Sequence, residues 1–238
     1  MDAETLRQYL EYYQDLGIKS LYRRGGPPEP SSAISPLSEA APSLGAGSSE
    51  SLFHILEDIG DCRRCGLSAQ RNKIVFGVGN EQAKLVFVGE GPGADEDAQG
   101  IPFVGRAGQL LTQMIEGTAK KEGIPLLRKD IYICNVVKCR PPENRAPLPE
   151  EMEICGQFLS RQLLAMRPKA VCALGATAAK FLTHSKEGVT RMRGNWYQWN
   201  EIPVMVTYHP SYLLRAYNVQ PKREAWEDLK KVLHFVYD

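Results

Sequence analysis

From Ser51 onward, short continuous apolar runs alternate with longer stretches in which apolar residues recur every three to four positions. The runs Leu85-Val86-Phe87-Val88, Asp130-Ile131-Tyr132-Ile133, Ala170-Val171-Cys172-Ala173-Leu174 and Pro203-Val204-Met205-Val206-Thr207 read as buried strands. Helical spacing predicts helices over 51–59, 108–121, 148–166, 176–182 and 225–236. Strand, helix and strand repeated in this way predict an α/β fold: a three-layer α/β/α sandwich around a central, mainly parallel four-stranded sheet. Ahead of it, Leu6, Leu10, Tyr13 and Leu16 predict a short amphipathic helix within residues 1–24, either a cap on its own domain or a surface for a protein partner. Residues 25–50, rich in Pro, Ser and Gly, read as a disordered linker, which leaves 51–238 as the one folded domain.

The chain has 238 residues, 43% of them hydrophobic and 24% charged, enough to bury a full core. No apolar run approaches membrane-spanning length. A net charge of +1 excludes a strongly basic protein yet leaves room for a local basic face, so nucleic acid stays open as a partner. Met1 to Thr5 shows no secretory pattern, and a reducing cytoplasm is the expected compartment.

Six cysteines sharpen the picture. Cys62 and Cys65 form a C-x2-C pair, and Cys139 and Cys155 follow far downstream in polar, proline-bearing stretches. Cys134 and Cys172 fall inside apolar runs and read as buried free thiols. Four thiolates suit zinc or a 4Fe-4S cluster, and the wide spacing of the second pair tilts the choice towards iron-sulfur.

Parallel sheets place chemistry at the carboxyl ends of their strands. The first strand runs into Gly89-Glu90-Gly91-Pro92-Gly93-Ala94-Asp95-Glu96-Asp97, a glycine loop with free amides and carboxylates that matches no phosphate-loop pattern. The second ends at Asn135, whose amide can present acceptor and donors to a base edge, and continues into Lys138-Cys139-Arg140-Pro141-Pro142. The last leads to His209-Pro210-Ser211-Tyr212-Leu213-Leu214-Arg215, where a histidine held on a rigid turn is the best catalytic candidate.

Together these segments resemble the family 4 uracil-DNA glycosylases, the iron-sulfur branch of the uracil-DNA glycosylase superfamily, over residues 51 to 238. The resemblance implies hydrolysis of the bond joining uracil to deoxyribose in single- or double-stranded DNA, in a monomer with no membrane association. It also implies a 4Fe-4S cluster on Cys62, Cys65, Cys139 and Cys155. Asn135 would read the uracil edge, Phe103 would stack on the base, and His209 with the amides around Glu90 and Gly91 would stabilise the departing anion. Ser211, Leu213, Leu214 and Arg215 would meet the DNA, the leucines filling the vacated stack. In the best-known branch an aspartate orients the water at the position of Gly91 and a tyrosine bars thymine at that of Gly93. Here Glu90 is the expected water partner, and Glu96 or a neighbour the expected wall. An electron carrier or a zinc-stabilised nucleic-acid module would also explain the cysteines, but neither would require His209-Pro210-Ser211.

Overall fold

The computed structural model describes residues 50–238. The helix expected within 1–24 and all of the linker except Glu50 lie outside them. Eight helices and six strands follow in chain order: α1 (Leu52–Ile59), β1 (Val78–Gly79), β2 (Leu85–Gly89), α2 (Ala94–Gln99), α3 (Arg106–Lys121), β3 (Tyr132–Asn135), α4 (Pro149–Met166), β4 (Ala170–Leu174), α5 (Gly175–Thr183), α6 (Val189–Met192), β5 (Trp196–Trp199), β6 (Ile202–Thr207), α7 (Pro210–Leu213) and α8 (Val219–Tyr237).

One sheet holds all six strands in the order β1-β3-β2-β4-β6-β5. The inner four are the expected strands and pair in parallel, with Val88 opposite Cys134 and Ala173, and Leu174 opposite Thr207. The sheet is wider than expected because a short antiparallel strand closes each edge. Two residues of β1 make too little pattern to register in the sequence, and β5, Trp-Tyr-Gln-Trp, is half exposed. The second predicted strand also shifts towards Asn135, because Arg128–Asp130 winds into a 3-10 turn before it.

Alternation along the strands sends side chains to two cores, one on each face of the sheet. Val86, Val88, Cys134, Val171, Ala173, Val204 and Val206 pack against α1, α4 and α5. Leu85, Phe87, Ile133, Ala170, Cys172 and Met205 face α3 and α8. Cys134 and Cys172 are thus fully buried on opposite faces, as their apolar runs implied. The three-layer reading holds. No helix among the described residues is long and apolar enough to cross a membrane.

Local signals set the helix ends. The Ser51 hydroxyl accepts from the His54 N–H at 3.2 Å and opens α1. Pro149 occupies the first turn of α4, where its missing N–H costs nothing, and the Leu148 N–H donates to Glu151 Oε2 at 2.7 Å.

The last parallel strand is tied to α8 by a buried carboxylate. Asp228, with no solvent exposure, accepts from the Thr207 hydroxyl at 2.8 Å and from Arg193 Nε at 2.9 Å, while a second Arg193 nitrogen donates to its other oxygen. Removing the carboxylate would strand a guanidinium and a hydroxyl. The D228A variant is expected to lose about 3–5 kcal/mol of stability, read from denaturant midpoints; a loss below about 1 kcal/mol would show that the network is not supporting this edge.

Candidate active site

The four parallel strands end on one side of the sheet, and the segments at the ends of three of them, β2, β3 and β6, line a cavity of about 270 Å³. That is slightly below the range of about 300–1,000 Å³ typical for drug-sized ligands, a size suited to a single flat ring. β2 contributes Glu90 to Gly93, β3 contributes Asn135, and the segment after β6 contributes His209 and Ser211. Phe103, Glu96, Pro141, Asn144 and Arg145 complete the wall. The sequence had given no role to the last three.

Asn135 forms the floor. Only 1% of it is exposed, and its Oδ1 is the one buried side-chain atom among the described residues without a hydrogen-bond partner. Orphaned buried acceptors are costly and rare, so this oxygen is kept for something that enters the cavity. A Cβ at Gly89 would come within 2.5 Å of that Oδ1 and 2.6 Å of Phe103 Cζ, so bare backbone is required between amide and ring.

Phe103 is a side wall held in an unusual conformation. Its φ of 55° lies in the left-handed region that non-glycine residues avoid. Arg128 holds it there, with one Nη2 donating to the carbonyls of Pro102 at 2.9 Å and Phe103 at 3.0 Å, and Nη1 bonded to Thr112 at 2.8 Å. The ring lies 5.6 Å from that of His209, tilted by 35°.

His209 precedes α7 as its N-cap. The Ser211 N–H donates to Nδ1 at 3.2 Å, so Nδ1 is an acceptor and the ring proton resides on Nε2. Ser211 Oγ lies 2.8 Å from the same nitrogen. Burial lowers the imidazole pKa to about 4, although the ring still lines the cavity. A neutral ring with an Nε2–H offers a donor rather than a charge. Gly175, at φ 86°, opens α5 beside it, and a Cβ there would lie 2.8 Å from His209 Cβ.

The acidic cluster divides into separate jobs. Asp97 is fully buried and binds Asn72 Nδ2 at 2.5 Å and the Asn72 N–H at 2.9 Å. Glu96 accepts from the N–H groups of Gly93 at 3.1 Å and of Val104 and Gly105 at 3.0 Å, and so fastens the glycine loop to the Phe103 loop. Glu90 instead accepts from the Thr177 hydroxyl. No side chain fits at position 91 unless Val137 moves, since a Cβ there would lie 2.7 Å from Val137 Cγ2. A Cβ at position 93 would lie 2.7 Å from Glu96 Oε2, so Glu96 fills the space beside Gly93.

Past the cavity, one expectation needs correction. Leu213 is fully buried with Tyr208 and Ala225, so it packs the domain and is not available to enter a base stack. The apolar spacing of His209 to Arg215 could not distinguish it from Leu214, which is half-buried. Arg215 is exposed, with Nη1 3.2 Å from the Tyr217 hydroxyl.

Cys62, Cys65, Cys139 and Cys155 converge on the α1–α4 side of the sheet. Burial raises the Cys139 thiol to about 11; Arg71 opposes the rise, and the Cys155 and Cys65 sulfurs add to it. The Cys155 thiol is also raised by burial, against the Lys138 N–H, with contributions from Cys65 and Cys62. The four sulfurs therefore lie near enough to feel one another. Yet no group of three or more His, Cys, Asp or Glu among the described residues closes around a single ion. Two donors already point at sulfur: the Lys138 N–H to Cys155 at 3.2 Å and Arg71 Nη1 to Cys139 at 3.5 Å. Lys138 itself is fully buried, its Nζ donating to the Asn135 carbonyl at 2.8 Å and to Gln162 Oε1 at 2.6 Å. The sequence gave Arg71 no role, because its sulfur partner Cys139 lies 68 positions away, and it marked Lys138 only as part of the Lys138-Cys139-Arg140-Pro141-Pro142 segment.

The family model described as the uracil DNA glycosylase superfamily matches residues 76–230. The chain belongs to this superfamily. Within it, a type-4 uracil-DNA glycosylase of Thermotoga maritima is 46% identical over 79% of the chain and 96% of that relative. Type-4 enzymes of Archaeoglobus fulgidus and Sulfurisphaera tokodaii are 45% and 42% identical, each over 77% of the chain, covering 92% and 84% of the relatives. The α/β fold expected from the sequence is therefore that of the superfamily.

For this superfamily member the imidazole geometry gives a direct expectation. A base whose affinity for protons is depressed on folding contributes stability that is complete above the ordinary histidine pKa of about 6.5 and is lost as pH falls towards about 4. Followed by NMR, the His209 ring should stay neutral from pH 8 to 5 and take up its proton near 4. Titration near 6.5 would contradict the buried acceptor role of Nδ1.

Proposed function

We propose that the chain flips uracil out of DNA and hydrolyses its N-glycosidic bond, leaving an abasic site in base excision repair. The observation that carries this reading is the unpaired, buried Asn135 Oδ1 at the floor of a ring-sized cavity walled by Phe103. In the proposed complex Oδ1 accepts from uracil N3–H and the amide nitrogen donates to O4. Cytosine presents the opposite pattern at both atoms and would leave the buried amide unpaired. Phe103 stacks on the base face, worth about 1–3 kcal/mol per base, and Glu96 walls the side that a thymine methyl would occupy.

Bond cleavage sends the electron pair of the C1'–N1 bond to N1, and negative charge spreads to O2. The Nε2–H of neutral His209, with the backbone amides at Glu90 and Gly91, is placed to donate to that oxygen, the role an oxyanion hole plays in acyl transfer. The cationic sugar takes up water at C1', Glu90 holds that water and accepts its proton, and uracil N1 is protonated in turn. The net reaction consumes one water. Leu214 is the proposed wedge into the vacated stack and Arg215 the proposed phosphate contact, with U·G pairs and single strands costing less to open.

The four cysteines are the proposed ligands of a 4Fe-4S cluster. Four thiols drawn to one side of the sheet supply the donor set such a cluster needs, and N–H donors at two of the sulfurs suit it as well. When bound, the cluster would supply a crosslink among the segment after α1, the segment after β3 and α4. A monomer working in a reducing compartment completes the reading, and the six cysteines, all free among the described residues, accord with it.

Purified protein should release free uracil from a uracil-containing oligonucleotide under single-turnover conditions. N135A should slow release by about 10- to 100-fold, and H209A by about 100- to 1,000-fold, with melting temperatures near wild type. Absence of uracil release from the wild-type protein refutes the reading. Protein purified without oxygen should carry about four irons and four acid-labile sulfides per chain with broad visible absorption; C155S should lose most of both. Stoichiometric zinc without iron would exclude the cluster.

A further inference from the structure

The turn between β4 and α5 carries none of the residues assigned above, yet it stands between Glu90 at the end of β2 and His209 beyond the end of β6. Its third helical residue is Thr177. Three other helical threonines give their hydroxyl proton to the carbonyl one turn back: Thr112 to Gly108 at 3.1 Å, Thr118 to Met114 at 2.6 Å and Thr183 to Ala179 at 2.7 Å. Thr177 does not. Its hydroxyl crosses from α5 to Glu90 Oε2, 87 positions away in the chain.

A glutamate side chain has three rotatable bonds, and ordering them costs entropy. A charge-assisted hydrogen bond from a β-branched residue, itself restricted at χ1, offsets that cost and fixes one carboxylate oxygen. The other oxygen, Oε1, is then presented in one orientation. Glu90 lines the cavity and Thr177 does not, so Thr177 can act there only through Glu90. The first turn of a helix anchored on the central sheet is also a stiffer support than the glycine loop that carries Glu90.

We propose that Thr177 is the positioning residue for Glu90, fixing Oε2 so that Oε1 holds the attacking water. This rests on the reading of Glu90 as the water's partner, and the experiment separates the two. Single-turnover uracil release and binding of uracil-containing DNA are measured for wild type, T177V, T177S, E90Q and T177V/E90Q. Valine keeps the shape and removes the donor, whereas serine keeps the donor.

T177V should slow release by about 10- to 100-fold with DNA affinity unchanged, T177S should recover most of the rate, and T177V should add nothing on the E90Q background. If E90Q works at the wild-type rate, the reading of Glu90 falls and the role of Thr177 with it. If E90Q is slow while T177V is not, the Thr177 proposal alone falls. Full additivity of the two changes, or a T177S as slow as T177V, would assign Thr177 to packing and overturn the proposal. Should T177V fold poorly, T177A and T177A/E90Q, which also remove the donor, take its place in the same comparison.

Discussion

A lysine enclosed on every side sets the terms for the rest of the molecule. Lys138 is fully buried, where a charged side chain left unpaired would cost several kcal/mol. Its position is tolerable only because neutral acceptors surround it: the Asn135 carbonyl, the Gln162 amide and, through Gln162, the Phe76 carbonyl at 3.1 Å. Burial lowers its pKa, while the sulfurs of Cys134 and Cys155 favour the charged form. To satisfy one side chain, β3, α4 and the segment before β1 have to meet in one arrangement.

That arrangement joins two sites along a very short path. The same residue whose Nζ holds the Asn135 backbone sends its own N–H to Cys155, and Cys139 is next in the chain. Asn135 and two of the cysteines are therefore joined through one residue. The hydrolysis proposed needs no electron, so a cluster held there would act mechanically, on the segment that carries Asn135.

Much of the fold could be read from the chain because buried parallel strands are written as unbroken apolar runs, as at Leu85 to Val88 and Ala170 to Leu174. The edge strands could not, since β1 is two residues long and β5 mixes aromatic and polar positions without a clear period. Asn135, Glu90 and His209 are marked in the sequence by strand ends and a proline turn, whereas Phe103 came only with the family resemblance; the structure brings all four to one cavity. Thr177, Arg71, Arg128 and Lys138 carry no such mark, because each acts through hydrogen bonds to partners distant in the sequence or to plain carbonyls. Leu213 was misread for the opposite reason: its neighbours suggest an exposed tip, and only the packing of Tyr208 and Ala225 shows otherwise.

The left-handed backbone at Phe103 has a wider meaning. Arg128 on the two carbonyls secures that conformation without help from anything that enters the cavity. A base bound there as proposed would meet a wall already secured from behind by Arg128. Tolerance for altered bases should then be narrow, and any attempt to broaden it would have to begin at Arg128, outside the cavity, rather than with the residues that line it.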